Sequence, residues 1–281
     1  MTDKYAVIGN PIAHSKSPLI HEAFAKQTNQ DISYERILAP TDGFEITIRN
    51  LIFQGYKGVN VTVPFKLDAL KFVQANGLLN TLAYKARAVN TITLHPNVIG
   101  DNTDGIGLVN DITQNLGFSI KNKKVLVLGS GGAALGILQP FVNENPSLMV
   151  ISNRTFSKAE QAIKILSELI ETNQSNTVCI AKQFDDLIGL DFDLVINATS
   201  VGLTDNTLPI PNSIFANGCL AYDMMYGRET SFMKQAKQNH AQVSDGLGML
   251  VEQAAEAFYI WRGVRAETRS VMQQIRNLPL A

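Results

Sequence analysis

Residues 129–134 read Gly129-Ser130-Gly131-Gly132-Ala133-Ala134, directly after the apolar run Val125-Leu126-Val127-Leu128. Small residues at this spacing between a strand and a helix suit a pyrophosphate. Gly129 permits the tight turn, Gly131 lets the backbone approach the anion, and Ala134 lets helix pack closely on strand. The N–H groups and partial positive charge of the helix N-terminus then face the ligand. A glycine string alone is also compatible with a plain turn, and its place between strand and helix is what points to a dinucleotide. The following strand ends Ile151-Ser152-Asn153-Arg154-Thr155. Cofactors without a 2′-phosphate usually meet an Asp or Glu at that point. No carboxylate stands here, and Arg154 can clamp a 2′-phosphate through its forked guanidinium, the plain alternative being a surface arginine in a loop. The expected cofactor is NADP rather than NAD.

The N-terminal half carries three dense polar clusters at the ends of predicted strands. They are His14-Ser15-Lys16-Ser17-Pro18, Asn60-Val61-Thr62-Val63-Pro64-Phe65-Lys66 and Asn102-Thr103-Asp104-Gly105, with Asn90 following the start of another strand at Ala88-Val89. Open α/β sheets bind ligands beyond the carboxyl ends of their strands, so these clusters can converge on one site.

The elements that position these residues alternate between strand and helix. Strands are expected at Tyr5–Gly9, Tyr34–Leu38, Gly58–Val63, Val89–Leu94 and Asn97–Gly100. Helices are expected from Pro18 to Thr28, over Asp42–Gln54, after Pro64, and after Asp101–Gly105 through about Asn115. A second series starts at Lys123, with buried strands at Val125–Leu128, Leu148–Ser152, Phe192–Asn197 and Leu220–Met224. Helices follow the glycine turn and span Ser157–Thr172, Gly248–Arg262 and Ala266–Arg276. Such alternation argues for α/β architecture with mostly parallel sheets covered by helices. The chain is expected to divide into residues 1–104, completed by 245–281, and residues 105–244.

Composition bounds the function classes. The 281 residues carry a net charge of -1, which gives no excess of cations for a phosphate backbone, so no nucleic-acid partner is expected. Cys179 and Cys219 form no C-x-x-C pair and the four histidines are scattered, so reduced thiols in a reducing compartment and no metal centre are expected. The N-terminus has no long apolar region with a cleavage site, and no apolar run reaches the roughly 18 residues that span a bilayer, so a cytoplasmic location without membrane attachment is expected.

The motifs together resemble the shikimate dehydrogenase family over essentially the whole chain. The resemblance rests on seven segments in order: Gly9–Pro18, Gly58–Lys66, Ala88–Thr91, Gly100–Gly105, Asn153–Thr155, Asn197–Ser200 and Asp245–Leu250. It implies an α/β substrate domain, a Rossmann-like NADP-binding domain, and C-terminal helices that return to the substrate domain. It also implies reversible NADPH-dependent reduction of 3-dehydroshikimate to shikimate in aromatic amino acid biosynthesis, by a monomer or homodimer.

The resemblance further implies roles. Lys66 matches the catalytic lysine and Asp104 its aspartate partner. Ser15 and Ser17 match the residues that grip the substrate carboxylate, with Tyr226 a further contact to it. Asn60, Thr62, Asn90 and Gln253 match residues that bind ring hydroxyls. Ser130, Thr199, Ser200, Met224 and Gly246 match positions lining the cofactor, beside Gly129–Ala134 and Asn153–Thr155. His14 is read as structural or peripheral. The chain departs from the family pattern at Arg87, where a glycine is usual, and at Ser231, where proline is frequent.

Three alternatives stand beside this reading. A quinate/shikimate dehydrogenase paralogue tends to carry an acidic residue where this chain has Asn153-Arg154. A methylenetetrahydrofolate dehydrogenase leaves the Ser15/Ser17 pair and Asp104 unexplained. A catalytically silent shikimate-binding protein leaves Lys66 and Asp104 without a purpose.

Overall fold

Strand β1 (Asp3–Gly9) lies inside the first sheet, and its alternate side chains serve two cores. Tyr5 and Val7 pack with Tyr34 and Trp261 on one face, while Ala6 and Ile8 pack with Val59 and Val61 on the other. The computed structural model describes residues 2–199, 201 and 207–278. They fall into two compact units, Met1–Gly107 with Leu250–Ala281, and Leu108–Met249.

In the first unit β1 is followed by helix α1 (Ser17–Thr28), β2 (Ile32–Leu38), α2 (Phe44–Phe53), β3 (Gly58–Val61) and α3 (Lys66–Asn76). Strand β4 (Leu78–Leu79), α4 (Thr81–Ala86), β5 (Thr91–Thr93), β6 (Ile99–Asp101) and α5 (Asp104–Asn110) come next. The six strands are ordered β2-β1-β3-β5-β6-β4. All neighbours run parallel except β5, which is antiparallel to both β3 and β6. Phe44, Ile48 and Leu51 of α2, at helical spacing, and Ala69, Phe72 and Val73 of α3 fill the core on the Ala6/Ile8 face.

Three local departures from the sequence expectation have physical causes. Strand β3 stops at Val61, because Thr62–Phe65 forms a turn that contains Pro64, which has no N–H to donate, and that is closed by the Phe65 N–H on the Thr62 carbonyl (2.9 Å). The short helix α4 was not foreseen. Asn80 caps its start, accepting from the Thr81 N–H at 2.6 Å, and Arg87 ends it in the left-handed conformation (φ 50°) where the family pattern has glycine. Helix α5 runs on into one π-helical turn at Asp111–Asn115 rather than continuing as α-helix.

In the second unit β7 (Lys124–Leu128), α6 (Gly132–Asn143), β8 (Leu148–Ser152), α7 (Phe156–Thr172) and β9 (Val178–Lys182) alternate. Strand β10 (Phe192–Asn197), β11 (Phe215–Asp223), α8 (Ser231–Gln238) and β12 (Gln242–Ser244) complete the unit. The order β12-β11-β10-β7-β8-β9 is all parallel. Numbered from β7, this is the 3-2-1-4-5-6 sheet, whose direction of winding reverses between β7 and β10. Val125, Val127, Met149, Ile151, Leu194 and Ile196 face α6 and α7. Leu126, Leu128, Val150, Val195 and Ala221 face α8. Near-continuous burial on both faces is what a parallel sheet between helix layers requires.

The chain ends with α9 (Leu247–Arg262) and α10 (Arg269–Arg276). Among the described residues no helix is long and apolar enough to cross a membrane.

Candidate active site

Helix α3 opens on Lys66 because its preceding residue is an anchor. Phe65 is fully buried and stacks on Phe44 with ring centroids 5.5 Å apart. The Lys66 carbonyl accepts from the Val89 N–H (3.1 Å), which ties the turn to the residue before Asn90. From this fixed base the Lys66 Nζ reaches the Asp104 Oδ2 at 2.6 Å. Lys66 is one-quarter exposed at its side chain and Asp104 one-tenth, so the pair is shielded yet accessible.

Asp104 is held from three sides. Its backbone N–H donates to the Asn102 Oδ1 (3.1 Å), and the Asn102 Nδ2 donates to the Ala88 carbonyl (3.1 Å). Its Oδ1 accepts from the Asn90 Nδ2 at 3.0 Å. The Asn90 Oδ1 in turn accepts from the Thr103 backbone N–H (2.9 Å) and the Thr91 hydroxyl (2.9 Å). Gln253, on α9, places its Oε1 3.4 Å from the Asn90 Nδ2 and 3.3 Å from the Thr103 hydroxyl. Residues 163 positions apart in sequence thus share one cluster.

Ser15 and Ser17 are 3.2 Å apart through their hydroxyls, and the Ser15 Oγ also accepts from the Ser17 N–H (3.3 Å). Pro18 sits in the first turn of α1, so this hydroxyl pair stands at a helix start. Thr62 is half-buried in the turn after β3. Asn60 is buried, as Ser17 and Asn90 are; its Oδ1 accepts from the Tyr34 hydroxyl (2.7 Å), and its Nδ2 donates to the Asn90 carbonyl and the Thr91 Oγ1 (3.3 and 3.0 Å). Both ends of its amide are therefore engaged by protein groups. His14 is exposed.

The second unit holds the other residue set. Gly129 closes β7 with φ 100°, and a Cβ there would lie 3.1 Å from the Ala198 carbonyl oxygen, so the turn demands glycine. By contrast, a Cβ on Gly131 or Gly132 would meet nothing within 4 Å among the described residues. Packing among the described residues does not explain why these two are glycine, whereas close approach of a phosphate does. The Ser130 Oγ is buried without a hydrogen-bond partner among the described residues, an orphan polar group at the same turn. Ala134 is buried on the sheet. Together these features fit a dinucleotide pyrophosphate at the α6 N-terminus.

At the end of β8 the Asn153 Nδ2 donates to the Thr155 carbonyl (3.0 Å), and Arg154 is exposed and makes no ion pair among the described residues. Beyond β10, Thr199 donates through both its N–H and its hydroxyl to the Asn197 Oδ1 (3.1 and 2.7 Å). Met224 follows β11, and the Gly246 N–H donates to the Met225 carbonyl at 2.8 Å. A Cβ on Gly246 would fall 2.3 Å from the Met224 carbonyl oxygen, so only glycine lets these two segments approach. Tyr226 is half-buried, and burial raises the pKa of its phenol. Ser200 lies outside the described residues.

Sequence reasoning missed Asp223. It is fully buried at the carboxyl end of β11, accepting from the Asn197 Nδ2 (3.1 Å), the Thr230 hydroxyl (2.5 Å) and the Met225 N–H (3.0 Å). Burial raises its pKa, and these donors oppose the shift. A lone carboxylate closing an apolar strand was the available signal. Thr103 and Asn102 were visible as motif members, but their bonds to Asn90 and Asp104 were not.

A glycine turn at the winding reversal of a parallel sheet, and a shielded lysine–aspartate pair among amides and hydroxyls, define a two-unit α/β oxidoreductase. Residues 7–92 match the shikimate dehydrogenase substrate binding domain, residues 110–203 the shikimate / quinate 5-dehydrogenase family, and residues 246–276 the shikimate 5′-dehydrogenase C-terminal domain. The chain belongs to the shikimate dehydrogenase family. The NADP(+) shikimate dehydrogenase of Methylobacillus flagellatus is 52% identical over 276 residues, covering 98% of this chain and 99% of that protein. Its namesake in Laribacter hongkongensis is 49% identical, covering 99% of each. Among solved structures, an Ael1 enzyme from Pseudomonas putida aligns over 100% of both chains with TM-score 0.89 and 41% identity. The shikimate 5-dehydrogenase of Thermus thermophilus, solved with NADP(H) and shikimate, aligns over 98% of this chain and 99% of that one, with TM-score 0.85 and 27% identity.

Proposed function

We propose that this chain catalyses the reversible NADPH-dependent reduction of 3-dehydroshikimate to shikimate. The reading is carried by the Lys66 Nζ held 2.6 Å from the Asp104 Oδ2 inside a cluster of hydrogen-bonding amides. Residues 1–104 with 245–281 serve as the substrate-binding and catalytic domain, and residues 105–244 bind NADP.

Bound NADPH supplies a hydride to the carbonyl carbon. The negative charge that develops on the carbonyl oxygen needs a donor and a proton, and the Lys66 ammonium provides both. Asp104 keeps the Lys66 Nζ pointed at that oxygen and accepts from the same hydroxyl once it has formed. In the reverse direction the pair removes the hydroxyl proton. Ser15 and Ser17 offer two hydroxyl donors to a carboxylate, with Tyr226 a further contact to it. Thr62, Asn90 and Gln253 supply the mixed donors and acceptors that ring hydroxyls require. Gly129–Ala134 cradle the pyrophosphate, and Asn153, Arg154 and Thr155 take the 2′-phosphate end. Thr199, Ser200, Met224 and Gly246 line the nicotinamide half.

The free thiols Cys179 and Cys219, the latter pushed up to about 12 by burial, accord with a cytoplasmic protein. We take it to act as a monomer or homodimer without a nucleic-acid partner. The test is ultraviolet absorbance of reduced nicotinamide, with shikimate against quinate and NADP against NAD. Turnover confined to shikimate with NADP is expected. Equal use of quinate makes the chain a broad-specificity paralogue, and binding of shikimate without turnover makes it a silent binder.

A further inference from the structure

The polar cluster behind Asp104 has a direction that its chemistry forces. The Asn90 backbone carbonyl can only accept, so the Asn60 amide must turn its Nδ2 towards it, at 3.3 Å. The Asn60 Oδ1 then faces Tyr34, whose hydroxyl must donate, at 2.7 Å. At the other end the Thr103 backbone N–H can only donate, so the Asn90 Oδ1 must face it, at 2.9 Å. The Thr91 Oγ1 lies between the Asn60 Nδ2 (3.0 Å) and the Asn90 Oδ1 (2.9 Å), so it accepts from the first and donates to the second. The Asn90 Nδ2 is left to donate to the Asp104 Oδ1 at 3.0 Å and to the Thr103 Oγ1 at 3.1 Å.

We infer that Tyr34 is a positioning residue for the reaction, acting through Asn60, Thr91 and Asn90 to hold the orientation of the Asp104 carboxylate. The inference deepens the proposed function and rests on it for the identity of the reaction. Tyr34 lies on β2, outside every motif of the N-terminal half. Its ring is buried and stacked in parallel on His21, with centroids 4.1 Å apart and planes 7° apart, so the phenol has a single seat. Burial raises its pKa well above 10, opposed by the Ser17 hydroxyl, so the O–H proton stays in place throughout the working range. Asn60, Thr91 and Asn90 are all buried, so no bulk water replaces a lost donor.

The test compares Tyr34→Phe, Thr91→Val, Thr91→Ser and the double variant Tyr34→Phe/Thr91→Val with wild type. Steady-state kinetics, thermal midpoint and the Asn90 side-chain amide resonances of the ligand-free protein are measured. Loss of one buried hydrogen bond predicts a kcat on the order of tenfold lower in Tyr34→Phe and in Thr91→Val, with KM for shikimate within about twofold in Thr91→Val, whose hydroxyl does not touch Ser17. Thr91→Ser keeps the hydroxyl and restores kcat. Because the links act in series, the double variant is no worse than the weaker single one.

Unchanged kcat in both single variants, or losses that simply add, overturns the inference even when thermal midpoints fall. Where Tyr34→Phe fails to fold, the Thr91 variants decide by the same criteria. Where wild type does not turn over shikimate, the proposed reaction falls, and the amide resonances alone decide the chain. Displacement of the Asn90 resonances in Tyr34→Phe or Thr91→Val supports it, and unmoved resonances in both overturn it.

Discussion

The Lys66 Nζ and the Asp104 Oδ2 lie 2.6 Å apart, although one residue opens helix α3 and the other opens helix α5. Each owes its place to the residue behind it, Phe65 in the core and Asn102 on the Ala88 carbonyl. If the lysine delivers the proton, Lys66→Ala lowers kcat by roughly 10²- to 10⁴-fold while shikimate affinity changes little. Asp104→Asn keeps the shape but not the charge, and falls within the same range. Stopped-flow binding together with steady-state rates separates the two effects, and a Lys66→Ala enzyme with near-normal kcat removes the lysine from the chemistry.

Arg154 is exposed at the end of β8 and free of ion pairs among the described residues, so its guanidinium is not committed to structure. One charge-assisted contact to a 2′-phosphate is worth about 1.5–3 kcal/mol. Arg154→Ala should therefore lower the ratio of kcat/KM for NADP over NAD by about ten- to a hundredfold, chiefly through KM for NADP. An unchanged ratio would falsify the assignment.

His21 is fully buried, and burial lowers its pKa from 6.5 to about 3. Above pH 6.5 neither folded nor unfolded chain binds a proton there, so the residue adds no pH dependence. Between 6.5 and about 3 the unfolded chain takes up a proton that the folded one refuses, so stability falls as pH falls. The slope is about 1.4 kcal/mol per pH unit in that window. Urea unfolding at about pH 7.5 and about pH 5.5 should show a loss of about 1.4 kcal/mol in wild type beyond that in His21→Phe. Equal losses in the two proteins would show that the ring titrates freely.

Arg87 closes α4 with φ 50° and ψ 34°, an exposed arginine in a conformation that glycine adopts without strain. The left-handed conformation costs an L-residue about 1–2 kcal/mol, partly offset by the extra chain entropy that glycine brings to the unfolded state. Arg87→Gly should raise unfolding stability by roughly 0.5–1 kcal/mol. Denaturant midpoints of the two proteins decide it, and a destabilised variant would mean that the arginine side chain contributes more than its backbone costs.

What the sequence determined by itself was local and periodic. Strands β8 (Leu148–Ser152) and β10 (Phe192–Asn197) were legible to the residue, because a strand buried on both faces writes a continuous apolar run. Gly129 was legible because its turn admits only one residue type. Lys66, Asp104, Ser15 and Ser17 could be named from the order of the motifs. Some short and edge elements could not be read. Strand β9 (Val178–Lys182) borders the sheet with Val178 and Ile180 exposed, α4 has six residues, and β12 has three. Each depends on neighbours for its conformation, so its own residues carry little signal. Only the tertiary structure decided that Tyr34 donates to Asn60, and that Gln253 joins Asn90 across 163 positions. The direction of a buried hydrogen bond depends on which group stands at its far end, and sheet order and the return of α9 supply that group.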